Sequence, residues 1–103
     1  QNQFEATNRF LTVESIQKLV AASYKLKVND IKAKSNKAEI VLPRQIAMFL
    51  CKEVMGISLP EIGRKFGGKH HSTVLHSVRK IEERMSEDKA FQQHIQGFIR
   101  SLR

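Results

Sequence analysis

The stretch SLPEIGRKFGGKHHSTVLHSVRKI, residues 58–81, decides the fold of this chain. Ser58, followed three residues later by Glu61, has the spacing of a capping box and predicts the start of a short helix. The pair Gly67-Gly68 predicts a reversal of the chain, and a longer helix begins near His70-His71. Two helices joined in this way form either an ordinary helical hairpin or a helix-turn-helix, whose second helix enters the major groove of DNA.

The positive charge of the chain is concentrated around this pair of helices. The net charge is +8, and between Lys25 and Lys80 there are twelve Lys and Arg against four Asp and Glu. The residues before and after this segment carry equal numbers of acidic and basic side chains. A local excess with neutral flanks indicates a polyanionic partner, and nucleic acid is the first candidate.

The apolar spacing of the rest of the chain predicts an all-α fold with about six helices in one domain. The elements outside residues 58–81 are a helix capped by Thr12 and running to about Lys25, a short turn from Asn29-Asp30 to Ile31, a buried helix over Arg44–Met55 with Pro43 in its first turn and Gly56 at its end, and a final amphipathic helix capped by Asp88.

The segment Lys32–Leu42, KAKSNKAEIVL, is the polar stretch between two of these elements. Its lysines surround Ser35-Asn36, and we expect an exposed basic loop, with a short strand over Ile40–Leu42 as the alternative. Flexible basic segments can enter a minor groove of DNA. The lysines of residues 32–37 are therefore candidates for minor-groove contact, with a role in solubility as the alternative.

The helix after the glycine pair has one polar face at its front end. On a helical wheel this face lies opposite the apolar stripe of Val74, Val78 and Ile81, and it consists of Lys69, Ser72, Thr73, His76 and Lys80. Lys, Ser and Thr side chains can read base edges in a major groove, and a solvated surface is the alternative. His71 falls on the inward side of the same wheel, unless the helix tip projects it forward to a base.

Candidate phosphate contacts flank this helix. On the wheel of the buried helix, Arg44, Met48 and Lys52 share the remaining exposed side, and Ser58 opens a helix with free backbone N–H groups. Donors of this kind position a protein on DNA without reading its sequence.

Several other classes of function are excluded. The chain has no apolar run of about 18 residues and no secretory signal pattern, and its first residue is Gln, so we expect part of a longer protein. The lone Cys51 excludes an internal disulfide, fits a reducing cytoplasm and is expected to be buried. The four histidines and this cysteine lack the spacing of a zinc site, and no catalytic motif is present.

In its motifs the chain resembles the C-terminal DNA-binding domain of the bacterial chromosomal replication initiators, the DnaA family. The resemblance extends from Leu11 to Arg103. The motifs that carry it are Pro43-Arg44-Gln45, Ser58-Leu59-Pro60-Glu61-Ile62-Gly63, Phe66-Gly67-Gly68, His71-Ser72-Thr73-Val74 and Arg79-Lys80-Ile81.

This resemblance implies a Trp-repressor-like helix-turn-helix domain over residues 12–103, with residues 1–11 as the end of a linker helix from a preceding ATPase module. It implies binding of double-stranded DNA at nine-base-pair boxes of the replication origin, in the bacterial cytoplasm and at the nucleoid. The domain itself would be no enzyme and would hold no metal or cofactor, whereas ATP and Mg belong to the parent protein. Other initiator protomers, and acidic phospholipid near the linker, are further implied partners.

The resemblance also assigns roles to single residues. The positions that match base-reading residues are Lys69, His70, His71, Ser72 and Thr73. The positions near phosphates are Arg44, Lys52, Ser58, Leu59, Pro60 and His76, and the minor-groove loop is Lys34, Ser35, Asn36 and Lys37.

Two positions depart from the family pattern. His70 stands where the family usually has an aspartate that accepts a hydrogen bond from cytosine N4, and a histidine cation cannot accept one, so the preferred box is expected to differ. Asn36 stands where the loop usually has an arginine, so minor-groove readout is expected to pass to Lys34 or Lys37, or to weaken.

Two rival interpretations remain open at this point. A helical interaction module could meet an acidic protein partner through the same basic face. Alternatively, Phe4, Phe10 and Leu11 could bind a membrane surface, although Arg9 is the only cation beside them.

Overall fold

Six α-helices build the part of the chain that the computed structural model describes, residues 11–103. They are α1 (Val13–Ser23), α2 (Val28–Lys32), α3 (Ala38–Leu50), α4 (Leu59–Lys65), α5 (His71–Glu87) and α6 (Lys89–Leu102), and a π-helical turn over Cys51–Met55 prolongs α3. No strand occurs within residues 11–103, and the predicted all-α fold is confirmed. The predicted linker, except Leu11, lies outside the described residues. None of the described helices combines the length and apolarity needed to cross a bilayer.

The central helix α3 packs against α1, α2, α5 and α6. Its Ile46, Ala47 and Leu50 are fully buried. Burial of a single large aliphatic side chain stabilises a fold by roughly 1.5–3 kcal/mol, so the many apolar contacts around α3 dominate the core. Contact with α3 holds α1, α2, α5 and α6 in place, whereas α4 packs against α5 and the π-helical turn.

The start of α3 corrects the prediction for residues 38–42. This segment is neither loop nor strand, because α3 begins at Ala38 and the N–H groups of Ile40 and Val41 both donate to the Lys37 carbonyl at 2.9 Å. Pro43 therefore lies inside the helix and not in its first turn. Ile40 is buried in the added first turn, and α3 continues through Pro43 although a proline has no N–H to donate. The loop is reduced to residues 33–37.

The burial of α3 corrects a second prediction. Of the three side chains expected on its exposed side, Met48 is fully buried and Arg44 is only 9% exposed, whereas Lys52 is exposed. The reason is that neighbouring helices cover α3 from several directions. Cys51 is buried as predicted, and this burial raises the pKa of its thiol to about 12.

Three of the predicted helix caps are present. The Thr12 hydroxyl accepts from the Ser15 N–H at 3.0 Å, and the Asp88 carboxylate accepts from the Phe91 N–H at 3.0 Å. At the start of α4, the Ser58 hydroxyl accepts from the N–H of the third helical residue at 3.3 Å. This last bond is the half of the predicted capping box that the described structure contains.

The turn between α4 and α5 requires glycine for two separate reasons. Gly67 and Gly68 have φ values of 82° and 77°, in the left-handed region that disfavours side chains. A Cβ atom on Gly67 would also collide with the carbonyl of Lys32, whereas one on Gly68 would meet open space. The turn therefore lies directly against the C-terminal end of α2.

Candidate nucleic-acid interface

The front end of α5 is a polar tip that faces solvent. Val74, Val78 and Ile81 are buried and anchor α5 against α3 and α4, as predicted. The exposed side chains of this end are those of His70, His71, Ser72, Thr73, His76 and Lys80. The first turn of α5 contains no acidic residue. We refer to residues 70–73 as the α5 tip.

Two orientations were left open for His71, and the structure excludes the inward one, because the side chain is exposed. His71 is the first residue of α5, and Cα–Cβ bonds of a helix tilt towards its N-terminus. A side chain at this position extends beyond the end of the helix and away from the core. The alternative, forward projection from the tip, is the one that the structure shows.

His70 caps α5, a role that the sequence did not indicate. Its Nδ1 atom accepts from the backbone N–H of Ser72 at 3.2 Å and lies 2.8 Å from the hydroxyl oxygen of the same residue. Since a backbone N–H can only donate, a cap of this kind uses an Nδ1 atom without a proton and leaves Nε2 as the ring N–H. The His70 ring also packs on the ring of His71, with 4.3 Å between centroids. The α5 tip thus presents a ring N–H donor.

A cleft of about 330 Å³ separates the α5 tip from the basic loop, residues 33–37. Its walls are formed by Lys34, Ser35, Asn36, Arg44, Gly67, Gly68, Lys69, His70 and Thr73. The structure therefore brings together the two regions that the sequence assigned to the two grooves of DNA. We call this feature the loop–tip cleft.

Arg44 lines this cleft, and its side chain is turned towards the loop backbone. Its Nη1 donates to the Ala33 carbonyl at 3.1 Å, and its Nη2 donates to the Ser35 carbonyl at 2.9 Å. Burial lowers the pKa of the guanidinium. A phosphate contact by Arg44 stays a prediction, and it would have to use the N–H groups that these carbonyls leave free.

Lys69 is also turned towards the protein. Its ammonium donates to the carbonyls of Phe66 at 2.8 Å, Lys32 at 3.2 Å and Ala33 at 3.3 Å. Burial lowers the pKa of this ammonium, and the charges of Arg44 and Lys34 lower it further. Base contact by Lys69 stays a prediction, because such a contact would require at least one of these hydrogen bonds to break.

The other predicted contacts are placed at the surface. Lys52 lies in the π-helical turn, and Ser58 and Pro60 lie at the start of α4, all exposed, whereas Leu59 is half-buried. His76 is exposed one turn behind the α5 tip. Contact between these residues and phosphate stays a prediction. Within residues 11–103 no three His, Cys, Asp or Glu side chains gather in a way that could hold a metal ion.

Two helices joined by a glycine turn, with a buried rear face and a polar exposed tip, define a helix-turn-helix domain, a class of DNA-binding module. Comparison with known sequences gives the particular family. The family model described as "Bacterial dnaA protein helix-turn-helix" matches residues 13–81. The chain belongs to this family, and the resemblance seen in its motifs is confirmed.

Chromosomal replication initiator proteins DnaA from several bacteria are similar to the chain. That of Geobacter sp. (strain M21) is 46% identical over 94 residues, which are 91% of this chain and 20% of the relative. That of Burkholderia multivorans (strain ATCC 17616 / 249) is 56% identical over 81 residues, 79% of this chain and 16% of the relative. The chain thus spans about a fifth of the length of the curated relatives that it matches.

Solved structures give the same result for the fold. A DNA replication initiation factor matches with a TM-score of 0.81 and 32% identity, over 98% of this chain and 30% of that chain. The replication initiator DnaA bound to AMPPCP and single-stranded DNA matches with a TM-score of 0.76 and 33% identity, over 97% of this chain and 30% of that chain.

Proposed function

We propose that this domain binds double-stranded DNA sequence-specifically, at nine-base-pair boxes of a bacterial replication origin. In this proposal the α5 tip enters the major groove and the basic loop enters the adjacent minor groove. The observation that carries the proposal is the loop–tip cleft, where an exposed tip without acids lies beside a lysine-bearing loop. Family membership supports the replication origin as the target.

The proposed base-reading residues are the exposed members of the α5 tip. The Ser72 and Thr73 hydroxyls can donate to or accept from base edges, and the Thr73 methyl can contact a thymine methyl. His71 projects a ring beyond the helix end and adds a further donor or acceptor. Phosphate contacts on both sides come from Lys52, Ser58, Leu59, Pro60 and His76, which fix the orientation of the helix without reading the sequence.

His70 gives the proposal a specific feature. The cap leaves the neutral ring with an Nε2–H donor, which suits acceptors such as guanine O6 and N7 or thymine O4. An aspartate in this position would instead suit the amino group of cytosine. We therefore infer that the base pair opposite His70 differs from the one that an aspartate would select.

The same proposal includes a longer parent protein, of which this domain is one part. We infer a longer initiator in which residues 1–11 end a linker from an ATPase module that uses ATP and Mg, and in which several protomers act together. A similar solved protein is DnaA bound to the ATP analogue AMPPCP. The bacterial cytoplasm and the nucleoid are the expected location, and acidic phospholipid near the linker is a further expected contact.

Selection of bound duplexes from a random pool, at a stated salt concentration, tests the proposed function. We expect a consensus of about nine base pairs, with preferences in both a major-groove and a minor-groove segment. Equal recovery of all sequences would reject specific binding and would favour the acidic-protein alternative. Because phosphate contacts make affinity strongly salt-dependent, the selection must be repeated at two salt concentrations.

A further inference from the structure

We propose that Arg44 and Lys69 are positioning residues that fix the basic loop relative to the α5 tip. The domain would then recognise the spacing between its major-groove and minor-groove sequence elements, and not only the elements themselves. This inference rests on the proposed function, because it concerns how the two DNA-facing regions act together.

The central observation is one carbonyl group that accepts from two cations. The Ala33 oxygen accepts from Arg44 Nη1 at 3.1 Å and from Lys69 Nζ at 3.3 Å. Arg44 belongs to α3, and Lys69 belongs to the turn before α5, so two elements distant in sequence meet at the first residue of the loop. The loop is therefore attached to both the core and the recognition helix.

The neighbouring hydrogen bonds extend this attachment along the loop. Arg44 Nη2 donates to the Ser35 carbonyl at 2.9 Å, and Lys69 Nζ donates to the Lys32 carbonyl at 3.2 Å. Three carbonyls between residues 32 and 35 are thus bound by cationic donors. A loop held through its backbone keeps its position while its own exposed side chains at Lys34 and Asn36 stay free to contact DNA.

Lys69 also completes the end of α2. The last carbonyls of a helix have no partner within the helix, and a cation placed there satisfies them and interacts favourably with the helix dipole. Lys69 does this for α2 and at the same time donates to the Phe66 carbonyl of its own turn at 2.8 Å. The close approach of Gly67 to the Lys32 carbonyl brings the same two segments together. One side chain therefore joins α2, the loop and the helix-turn-helix.

The positioning role differs from direct contact in a measurable way. A Lys69 that read a base would affect recognition at one base pair of the major groove, whereas a Lys69 that holds the loop affects recognition in the minor groove. An Arg44 bound to phosphate would affect all sequences alike and reduce the salt dependence of binding. An Arg44 that holds the loop would affect the duplex with the preferred minor-groove element more than random duplexes.

Methylation interference separates these possibilities, since methylation of guanine N7 blocks the major groove and methylation of adenine N3 blocks the minor groove. The duplex is the one that the wild-type chain selects with highest affinity from a random pool. The variants are Lys69→Met and Arg44→Met, with Lys69→Arg as rescue and Lys18→Met, an exposed lysine of α1, as matched control. Circular dichroism and thermal unfolding identify any variant that fails to fold.

We expect Lys69→Met and Arg44→Met to lower affinity about tenfold and to lose interference at adenine N3 while keeping it at guanine N7. Lys69→Arg restores the N3 signal, and Lys18→Met resembles wild type. If Arg44→Met fails to fold, the half-exposed Lys69→Met decides the result.

Loss of N7 interference at a single guanine with N3 interference intact would overturn the inference in favour of base reading by Lys69. If the wild-type chain itself shows no interference at adenine N3, the loop does not enter the minor groove and the inference is overturned, while major-groove binding stays in place. A wild-type chain that prefers no sequence would reject the proposed function itself, and the inference with it.

Discussion

The α5 tip and the two inward-turned cations of the loop–tip cleft, Arg44 and Lys69, use polar side chains in opposite ways. At the tip, His71, Ser72 and Thr73 face solvent. In the wall of the adjoining cleft, Arg44 and Lys69 donate to backbone carbonyls of the protein. The difference shows that positive charge counted along a chain overstates the charge available to DNA, because part of it holds the interface together.

The largest effect is expected for Gly67→Ala, which disturbs the packing of the glycine turn against α2. We expect a loss of about 3 kcal/mol in the free energy of unfolding, because the methyl group adds a collision with the Lys32 carbonyl to the strain of a left-handed φ. The matched control is Gly68→Ala, with a similar φ but open space, for which about 1–2 kcal/mol is expected. Urea unfolding measures both, and equal losses would contradict close packing of the turn against α2.

At the α5 tip, Thr73→Ala tests whether this side chain reads a base. We expect about 1–3 kcal/mol lower affinity for the selected duplex and little change for random duplexes, since the hydroxyl and methyl group contact bases in the proposed complex. Lys52→Ala is the comparison variant and should weaken all duplexes alike. Fluorescence anisotropy with both kinds of duplex measures the difference, and an equal loss on both for Thr73→Ala would reject a reading role.

His70→Asp changes the tip without removing its cap. Aspartate is a good N-cap residue, so the free energy of unfolding should change by less than about 1 kcal/mol, whereas His70→Ala should lose about 1 kcal/mol. The preferred base pair opposite residue 70 should change towards cytosine in the His70→Asp variant. Selection from a random pool compares the two proteins, and identical consensus sequences would show that His70 does not read a base.

The smallest expected effect is on the salt dependence of binding, which compares the exposed Lys34 with Lys69, whose ammonium is turned towards the protein. Lys34→Ala should reduce the slope of log affinity against log salt by roughly 0.9, if the exposed ammonium meets one phosphate. Lys69→Met added to Lys34→Ala should reduce the slope no further, because the Lys69 ammonium is bound by the protein and the loop has already lost its phosphate contact. A further reduction of roughly 0.9 would show that Lys69 meets a phosphate itself and would remove the distinction between the two lysines.

Local sequence signals predicted much of the fold. The apolar stripe of α5, the glycine turn, and the caps at Thr12, Ser58 and Asp88 each depend on residues close together in the chain, and the structure contains all of them. Such features follow from helical periodicity and from hydrogen bonds over three residues. They were sufficient to place an exposed polar tip on the correct helix.

The misplaced features depend on contacts between distant residues. Pro43 suggested a helix start, but α3 begins earlier, at Ala38, and Ile40 in this added turn is buried. Direct DNA contact by Arg44 and Lys69, which the wheel suggested, stays a prediction, but nothing in the sequence indicates that both side chains meet at the Ala33 carbonyl. The sequence therefore indicated which residues belong to the candidate site. The orientation of Arg44 and Lys69 could be seen only in the folded structure.

The proposed sequence-specific binding depends on contact between the α5 tip and base edges. The most direct measurement is NMR spectroscopy of the domain bound to its selected duplex, with nuclear Overhauser effects assigned from the Thr73 methyl group. We expect effects to major-groove base protons, such as a thymine methyl or cytosine H5. Effects from DNA confined to other surfaces, with the resonances of residues 70–73 unchanged on binding, would contradict base reading by the α5 tip.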